Sequence, residues 1–575
     1  MTIMREEQKR WIAAGTAFII IGILLIYRAF YGMDTTDETF YLATAKRFYE
    51  GDLLFQNDWN TGQIFGLVMM PFYYFYLMVT GSNEGIILCA RILFVFIALF
   101  VAGFTYKVLY QYTKKFGASL LASLCILVYV RGNIITCSYY SLGFYTFLLA
   151  ILWWMDAKKE KKEIWKLICS GISFAVSVLC MPYMAVVFPL ILLAGVYMKC
   201  TKKNTCFVRI VSFAGGVLLS AAVFLLCFSP MVPWTKLPQL LSIVFQDPGM
   251  ESESFLKQLI NLLIYMVVVF MKYTWPIYMA TFLTVCITRL GKIKNKTVIK
   301  IMPWVLLGEF LIQAIYVRGY FEGGIIAATF FFILQLQIFF PDKRERLLEK
   351  YFIIPGLIYG AVWIAGSNVD QRVINMSFLI MNLWAVPFAW GIWEDKKFGK
   401  VCTKIPVCLM FCVLCGVRLL DIYRDGALTQ LNTQVEHGVM KGLYTEKNRA
   451  EAYENAVEML RRYTDPSDTI VTIGCDPWVY LDTQASCGAY TTWQVSDGDD
   501  LLRKYYNVNP DKIPNVIVKI SDLVNTYEFW RFSSHGVGLY EGENLEVYGV
   551  LKEIIEEHEY KKIEEEGTVI YCAVD

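Results

Sequence analysis

Long apolar runs recur from near the amino end of this 575-residue chain to Leu420, and they decide what it can fold into. Crossing the hydrocarbon core of a bilayer takes about 20 predominantly apolar residues, and about fifteen runs approach that length. Hydrophobic residues make up 56% of the chain and charged ones only 18%, a balance no ordinary soluble protein has. The sequence therefore predicts an all-α polytopic membrane protein; a β-barrel would instead show short alternating segments. The amino end, 1–10, is mixed in charge and precedes an apolar run over 11–27. No small-residue cleavage site follows that run, so it reads as a retained anchor rather than a secretory signal.

Cysteine and histidine usage narrows the chemistry. Cys89, Cys125, Cys169, Cys180, Cys227, Cys286, Cys408 and Cys412 lie inside apolar runs, where cysteine behaves as a small hydrophobe. Cys475, Cys487 and Cys572 lie in the tail, and a Cys475–Cys487 disulfide stays open, because sequence alone cannot fix pairing. His437, His535 and His558 are all in the tail too, which argues against a haem or histidine-bound metal in the membrane part. The net charge of +2 and the lack of a basic patch give no sign of a nucleic-acid partner.

Orientation follows the lysine and arginine bias of short loops. Basic clusters at 107–115, 158–166, 199–209, 289–300, 342–350 and 396–404 are placed in the cytoplasm. Segments 32–61, 131–139, 229–255, 318–323 and 367–375 then face outward, as does the tail after Tyr423. Two apolar runs, 62–80 and 86–106, must together make one net crossing, and the same holds for 256–273 and 275–289. One run of each pair is thus partial, interfacial or re-entrant. About thirteen full crossings remain in a protein of the cell membrane, with the amino end inside and the carboxyl end outside. The expected division is a multi-span domain over 1–422 and a soluble outer domain over 423–575. Helix-like 447–463 and strand-like 469–474, 515–520 and 545–550 give the latter an α/β or α+β character.

The chemistry-bearing residues cluster in the first outward loop. Asp37 and Glu38 open an amphipathic segment over 37–51, and Asp58 follows within Gln56-Asn57-Asp58-Trp59. Transfer of a sugar from a polyprenyl phosphate needs no acid to protonate the leaving group, which departs as a phosphate, unlike glycoside hydrolysis with its two carboxyl groups. It needs a base for the acceptor hydroxyl and a cation for the departing phosphate. Asp37 is the candidate base, Glu38 a positioning or metal-binding partner, and Asp58 a residue that positions acceptor or base. Equally, Thr35 or Thr36 caps a helix here, with the acids favourably placed in its first turn.

The order Asp37-Glu38, Tyr41, Ala45, Gly51 and Asp58, directly after the first span, resembles the first external loop of the GT-C glycosyltransferases. Within them it is most similar to the protein O-mannosyltransferases and the bacterial transferases that add aminoarabinose to lipid A. The resemblance extends weakly to Gly81 and Arg91. It implies a donor of polyprenyl-phosphate sugar used outside the membrane, Asp37 in the catalytic position, and no resident metal or other cofactor. Asp37, Glu38 and Asp58 nevertheless offer oxygen ligands suited to Mg²⁺ or Mn²⁺. Two departures bear on donor contacts and acceptor choice. Asn60-Thr61-Gly62-Gln63 and a lone Pro71 stand where relatives carry a lysine and paired prolines. Cys137-Ser138-Tyr139-Tyr140-Ser141 stands where they often carry an aspartate.

For the phosphate, Arg131, Arg318 and Arg372 lie at outward span ends, with interfacial snorkelling as the alternative use of each. Arg318 is preferred, being flanked by glycine and tyrosines; Tyr41, Tyr139 and Tyr140 are candidate substrate contacts. Glu309 and Arg91 sit within apolar runs, where centring a charge costs about 2.5–3.5 kcal/mol or more, so each needs a partner. The loop 230–254, with Trp234 and Lys236, is long enough to cover a donor. The expected partners are thus a polyprenyl-phosphate-linked sugar, a lipid, protein or cell-wall glycan acceptor, and membrane lipid. The alternatives are a glycan or lipid-carrier transporter, which usually shows repeated halves not visible here, and a non-catalytic glycan-binding protein.

Overall fold

The computed structural model describes residues 2–157, 163–201, 204–244, 304–312, 321–339, 346–366, 374–394, 400–493, 500–520, 549–565 and 567–574, with a few isolated positions between them. The membrane part begins with α1 (Thr2–Ala29), α2 (Asp37–Tyr49), α3 (Ile64–Thr80), α4 (Ile86–Thr113) and α5 (Phe116–Val128). It continues with α6 (Tyr139–Asp156), α7 (Ile164–Cys180), α8 (Val187–Cys200), α9 (Asn204–Phe228) and α10 (Leu237–Val244). Then come α11 (Phe321–Phe339), α12 (Arg346–Gly366), α13 (Ile374–Glu394) and α14 (Lys400–Leu420). Among the described residues, 6 helices are long and apolar enough to cross a membrane, and shorter apolar helices pack with them. The chain is an integral, multi-pass membrane protein. Segments 245–259 and 287–303, which carry part of the expected crossings, lie outside the described residues.

Contacts sort the helix ends onto two faces. Arg10 at the start of α1 donates to the Tyr110 hydroxyl near the end of α4 at 3.4 Å. Lys107 pairs with Asp156 at 3.2 Å, and Arg209 donates to the Ala157 carbonyl at 2.7 Å. The basic segments 107–115 and 199–209 therefore share a face with the amino end of α1. On the opposite face, Arg28 donates to the Asp421 carbonyl at 2.7 Å and Asn133 to the Val417 carbonyl at 3.1 Å. The C-terminal domain sits on this second face.

Helix α3 shows how the chain settles its parity. Just before it, the Trp59 amide donates to the Tyr490 carbonyl at 2.7 Å; just after it, Gly85 donates to the Gly438 carbonyl at 3.1 Å. Both ends touch the same domain. This 17-residue helix, roughly 25 Å long, returns to the face it left and makes no crossing, whereas the 28-residue α4 crosses. It is the non-crossing member of the pair 62–80 and 86–106.

Helix α2 departs from its expected amphipathic character. Every residue from Glu38 to Phe48 is buried, Lys46 and Arg47 included. The helix bundle packs beneath it and the C-terminal domain covers it, so its polar face meets protein rather than water. Lys46, for instance, donates to the carbonyls of Tyr480 and Thr483 at 2.7 and 2.8 Å.

The C-terminal domain carries a two-stranded ribbon, β1 (Thr433–Gln434) with β2 (Tyr444–Thr445), then α15 (Lys447–Tyr463). Next come β3 (Thr469–Ile473), α16 (Pro477–Asp482), β4 (Ser486–Cys487), α17 (Asp500–Val508) and β5 (Val516–Ile520). Last are α18 (Val550–Glu557), β6 (Tyr560–Glu565) and β7 (Thr568–Ala573). The sheet order is β4-β3-β5-β7-β6, with β3 parallel to β4 and β5 and the remaining pairs antiparallel. Much of the expected strand over 545–550 lies outside the described residues; at its end Gly549 turns with φ +73° and Val550 opens α18. The edge strand β6, Tyr-Lys-Lys-Ile-Glu-Glu, escapes sequence patterning because its charges blunt a sheet edge instead of alternating with apolar residues. Cys475 and Cys487 are both buried free thiols, with no disulfide between them.

Candidate active site

The segment ahead of α2 is held from three sides before it reaches Asp37. Gly32 donates to the Tyr444 carbonyl and Tyr444 to that of Phe30, at 2.8 and 2.7 Å, adding residue 31 to the ribbon. Gly32 lies at φ +91°, and a Cβ there would meet Ile422 at 2.5 Å, so only glycine fits. Arg91, on α4, donates to the carbonyls of Ala29 and Gly32 at 2.9 and 2.8 Å. The Met33 amide donates to Asp425 at 2.6 Å, and Arg449 donates to the Met33 carbonyl at 2.8 Å.

The helix start is capped by Asp34, not by Thr35 or Thr36. Its carboxylate accepts from the amides of Thr36 and Glu38, both at 3.0 Å, while Thr36 makes no side-chain cap. With Asp34 doing this, Asp37 is released from a capping role. Its side chain is 16% exposed, pairs with Arg424 at 3.2 Å, and accepts a hydrogen bond from the Tyr423 hydroxyl. Arg424 also donates to the Thr36 hydroxyl. The backbone of Arg424 stands at φ +51°, a left-handed conformation that costs a non-glycine residue roughly 1–2 kcal/mol. The contacts to Thr36 and Asp37 hold it there.

Glu38 turns away from Asp37, as adjacent helix residues must. Its two carboxylate oxygens take Arg91 Nε at 3.0 and 3.1 Å. Burial pushes the Glu38 carboxyl up to about 7 against the opposing pull of Arg91. Glu38 therefore partners the charge that Arg91 brings into the apolar α4. The second charge within an apolar run, Glu309, takes a hydrogen bond from Gln335 at 3.2 Å.

Asp58 lies in a different cluster. It is fully buried, accepts from the Asn60 amide at 2.8 Å, and stands 3.8 Å from Arg47 Nη1. Arg47 also pairs with Asp52, and donates to the Asn57 carbonyl and, at 2.9 Å, to Tyr505 of α17. Lys512 completes the group by pairing with Asp52 at 2.6 Å. Burial raises the Asp58 carboxyl to about 6, with Arg47 opposing. These contacts join the first loop to the C-terminal domain.

Around Asp37 the structure gathers four of the other candidates. The Tyr41 ring lies 5.6 Å from that of Tyr139, and Tyr139 lies 4.0 Å from Tyr140. The Arg131 guanidinium stacks on Tyr140 at 3.6 Å from its centroid. Burial works against the Arg131 charge, but Tyr140, Tyr139, Asp37 and Tyr41 outweigh it and hold its pKa above the ordinary value. Its side chain is half-buried, its Nε has no hydrogen-bond acceptor, and no carboxylate pairs with it among the described residues. Arg318, Arg372 and residues 245–254 of the long loop lie outside the described residues; its earlier part folds as α10. Among the described residues, no group of three or more His, Cys, Asp or Glu side chains is arranged to hold a metal ion.

Sequence reasoning missed Tyr423, Arg424, Asp34 and the turn Cys475-Asp476. The Cys475 thiol, held well above its ordinary pKa first by burial and then by Asp476, feels the charges of Asp37, Arg424 and Asp34 as well. Asp34 carried a readable signal, an acidic residue three positions before the helix. The others are separated from Asp37 by hundreds of residues and carried none.

No family model matches the chain, and no curated protein matches it either. Among solved structures it is similar to the aminoarabinose transferase ArnT from Cupriavidus metallidurans in the apo state, at 11% identity and a TM-score of 0.42, over 99% of this chain and 98% of that one. It is also similar to ArnT bound to undecaprenyl phosphate, at 11% identity and TM-score 0.39, over 97% and 98% of the two chains. A third is the archaeal oligosaccharyltransferase AglB from Archaeoglobus fulgidus in complex with an inhibitory peptide and a dolichol-phosphate, at 10% identity and TM-score 0.43, over 89% and 70%. With TM-scores this low, these likenesses assign no residue a role.

Proposed function

We propose that this chain is an inverting glycosyltransferase that moves a sugar from a polyprenyl-phosphate donor to an acceptor hydroxyl, on the membrane face that carries the C-terminal domain. One observation supports the reading above others. The carboxylate of Asp37 and the acid-free guanidinium of Arg131 lie within electrostatic reach of one another, beside the rings of Tyr41, Tyr139 and Tyr140. Base and phosphate-binding cation are the two groups the reaction requires.

In this reading the acceptor oxygen attacks the anomeric carbon from the Asp37 side and gives its proton to that carboxylate. The bond between the anomeric carbon and the phosphate oxygen breaks, and the phosphate keeps the electron pair. Arg131 stabilises it through charge-assisted hydrogen bonds, which are about twice as strong as neutral ones. Arg424 holds the Asp37 carboxylate aimed until the acceptor arrives. Tyr41, Tyr139 and Tyr140 offer ring faces and hydroxyls to the sugar. Glu38 supports Asp37 only through the fold, by neutralising Arg91, and Asp58 does so through Arg47. In this reading the face that carries the basic segments is cytoplasmic, and the site and C-terminal domain lie outside.

The test is an Asp37→Asn variant supplied with a panel of undecaprenyl-phosphate hexoses and pentoses. The expected result is a loss of transfer by 10²–10⁴-fold with undecaprenyl phosphate binding retained. Transfer at the wild-type rate would remove Asp37 from the role of base.

A further inference from the structure

The proposed reaction moves charge as well as a sugar. A singly charged phosphodiester, a neutral acceptor and the Asp37 carboxylate go in. The glycosylated acceptor, a protonated Asp37 and a polyprenyl phosphate with about two negative charges at neutral pH come out. The negative charge that leaves Asp37 reappears on the phosphate. A cation that faces Asp37 at the start therefore loses its counter-charge in the same step that gives the phosphate an additional one.

Arg424 is that cation, 3.2 Å from Asp37 and with 19% of its side chain exposed. Its guanidinium meets side chains: Asp37, the Thr36 hydroxyl, and the Tyr423 ring, whose centroid is 5.0 Å away. Its carbonyl separately accepts from Arg449 at 2.7 Å, so the backbone keeps an anchor wherever the guanidinium points. Burial works against the Arg424 charge, and Asp37 leads the groups that outweigh it. Two neighbouring arginines, by contrast, are tied to backbone. Arg91 holds the carbonyls of Ala29 and Gly32 as well as Glu38, and Arg449 holds those of Met33 and Arg424. Arg424 and Arg131 stand at the two ends of one row of contacts. Asp37 and Tyr41 are one turn apart on α2. From there the rings of Tyr41, Tyr139 and Tyr140 lead to the Arg131 guanidinium in steps of 5.6, 4.0 and 3.6 Å.

We infer that Arg424 is a second phosphate-binding residue of this site, swinging from Asp37 to the departing phosphate as the carboxylate takes the acceptor's proton. The inference rests on the glycosyltransferase reading above. Arg131 meets the charge that the donor brings in, and Arg424 meets the charge that the reaction creates. A guanidinium suits this exchange, because its planar fork fits carboxylate and phosphate alike.

The test is a titration of undecaprenyl phosphate against the full-length protein in lipid nanodiscs, with Asp37→Asn standing in for the protonated carboxyl. Asp37→Asn is expected to bind it about tenfold tighter than wild type, because Arg424 is released to the phosphate. In an Arg424→Gln background the same Asp37→Asn change should bring no gain. A merely structural Arg424 would leave the gain in place, as would the simple removal of a nearby negative charge, and a gain that persists overturns the inference. So does Asp37→Asn protein that binds no tighter than wild type. If Arg424→Gln does not fold, Arg424→Lys takes its place: it keeps the charge without the fork, and the gain should fall to about threefold. An undiminished gain in that background counts equally against the inference. Wild-type protein that does not bind undecaprenyl phosphate overturns the glycosyltransferase reading itself, a distinct failure.

Discussion

The first outer loop holds two aspartates, each meeting an arginine, that sequence alone cannot tell apart, and their surroundings differ sharply. Asp37 faces Arg424 at 3.2 Å with 16% of its side chain exposed, next to tyrosines and the acid-free Arg131. Asp58 faces Arg47 at 3.8 Å with its side chain 0% exposed, inside a cluster that Tyr505, Asn509 and Lys512 close from the C-terminal domain. A substrate can reach the first pair and not the second. Burial of a charge pair is weak evidence for activity and good evidence for a joint between parts, because breaking such a pair is costly. The pair that remains accessible, beside an unneutralised cation, is the one to which the proposed chemistry is assigned.

The largest effect expected is on chemistry: Asp37→Asn lowers transfer by 10²–10⁴-fold and leaves the thermal midpoint within a few degrees of wild type. The matching change in the other pair is Arg47→Met. It strands Asp58, leaves Asp52 to Lys512 alone, and should destabilise the protein by about 3–5 kcal/mol, seen as early release of the C-terminal domain to protease. Protein that stays folded should retain transfer. If Arg47→Met instead abolishes transfer without any loss of stability, the two pairs are not different in kind. Arg131→Gln is expected to weaken binding of undecaprenyl phosphate by about 10–100-fold, the loss of one charge-assisted contact set. Unchanged binding in a titration would remove Arg131 from the donor site.

Much of this contrast was legible in the sequence, and the reasons it was legible are physical. Runs long enough to span a bilayer, and basic residues between them, give the helices and their sides because lipid leaves the backbone few choices. The same parity that demanded one non-crossing run between Gly62 and Tyr106 is met by α3, whose two ends touch one domain. Asp37, Arg131, Tyr41, Tyr139 and Tyr140 were named from local pattern and are brought together. What was not legible is pairing at long range. Tyr423 reaches Asp37 across 386 positions, its neighbour Arg424 pairs with the same carboxylate, and nothing local marks either. Glu38 and Arg91 each carried a reading alone, as possible site acid and as buried charge, and only their 3.0 Å contact shows that one answers the other. The charged edge strand β6 was missed because it breaks the alternation on which strand reading depends.

The smallest effect sharpens the comparison most finely, because it reads the burial of Asp58 by titration alone. Burial, opposed by Arg47, raises the Asp58 carboxyl from 3.8 to about 6. A carboxyl whose pKa is higher in the folded state binds its proton more tightly there. Its favourable contribution is therefore complete below about pH 4 and is lost as pH rises through about 6. Asp58→Asn cannot titrate, so the difference in melting temperature between wild type and variant should shift by a few degrees across that window and be flat above it. A curve for Asp58→Asn that is flat from pH 4 to 7 would mean that water reaches this carboxyl, and that the second pair is as open as the first.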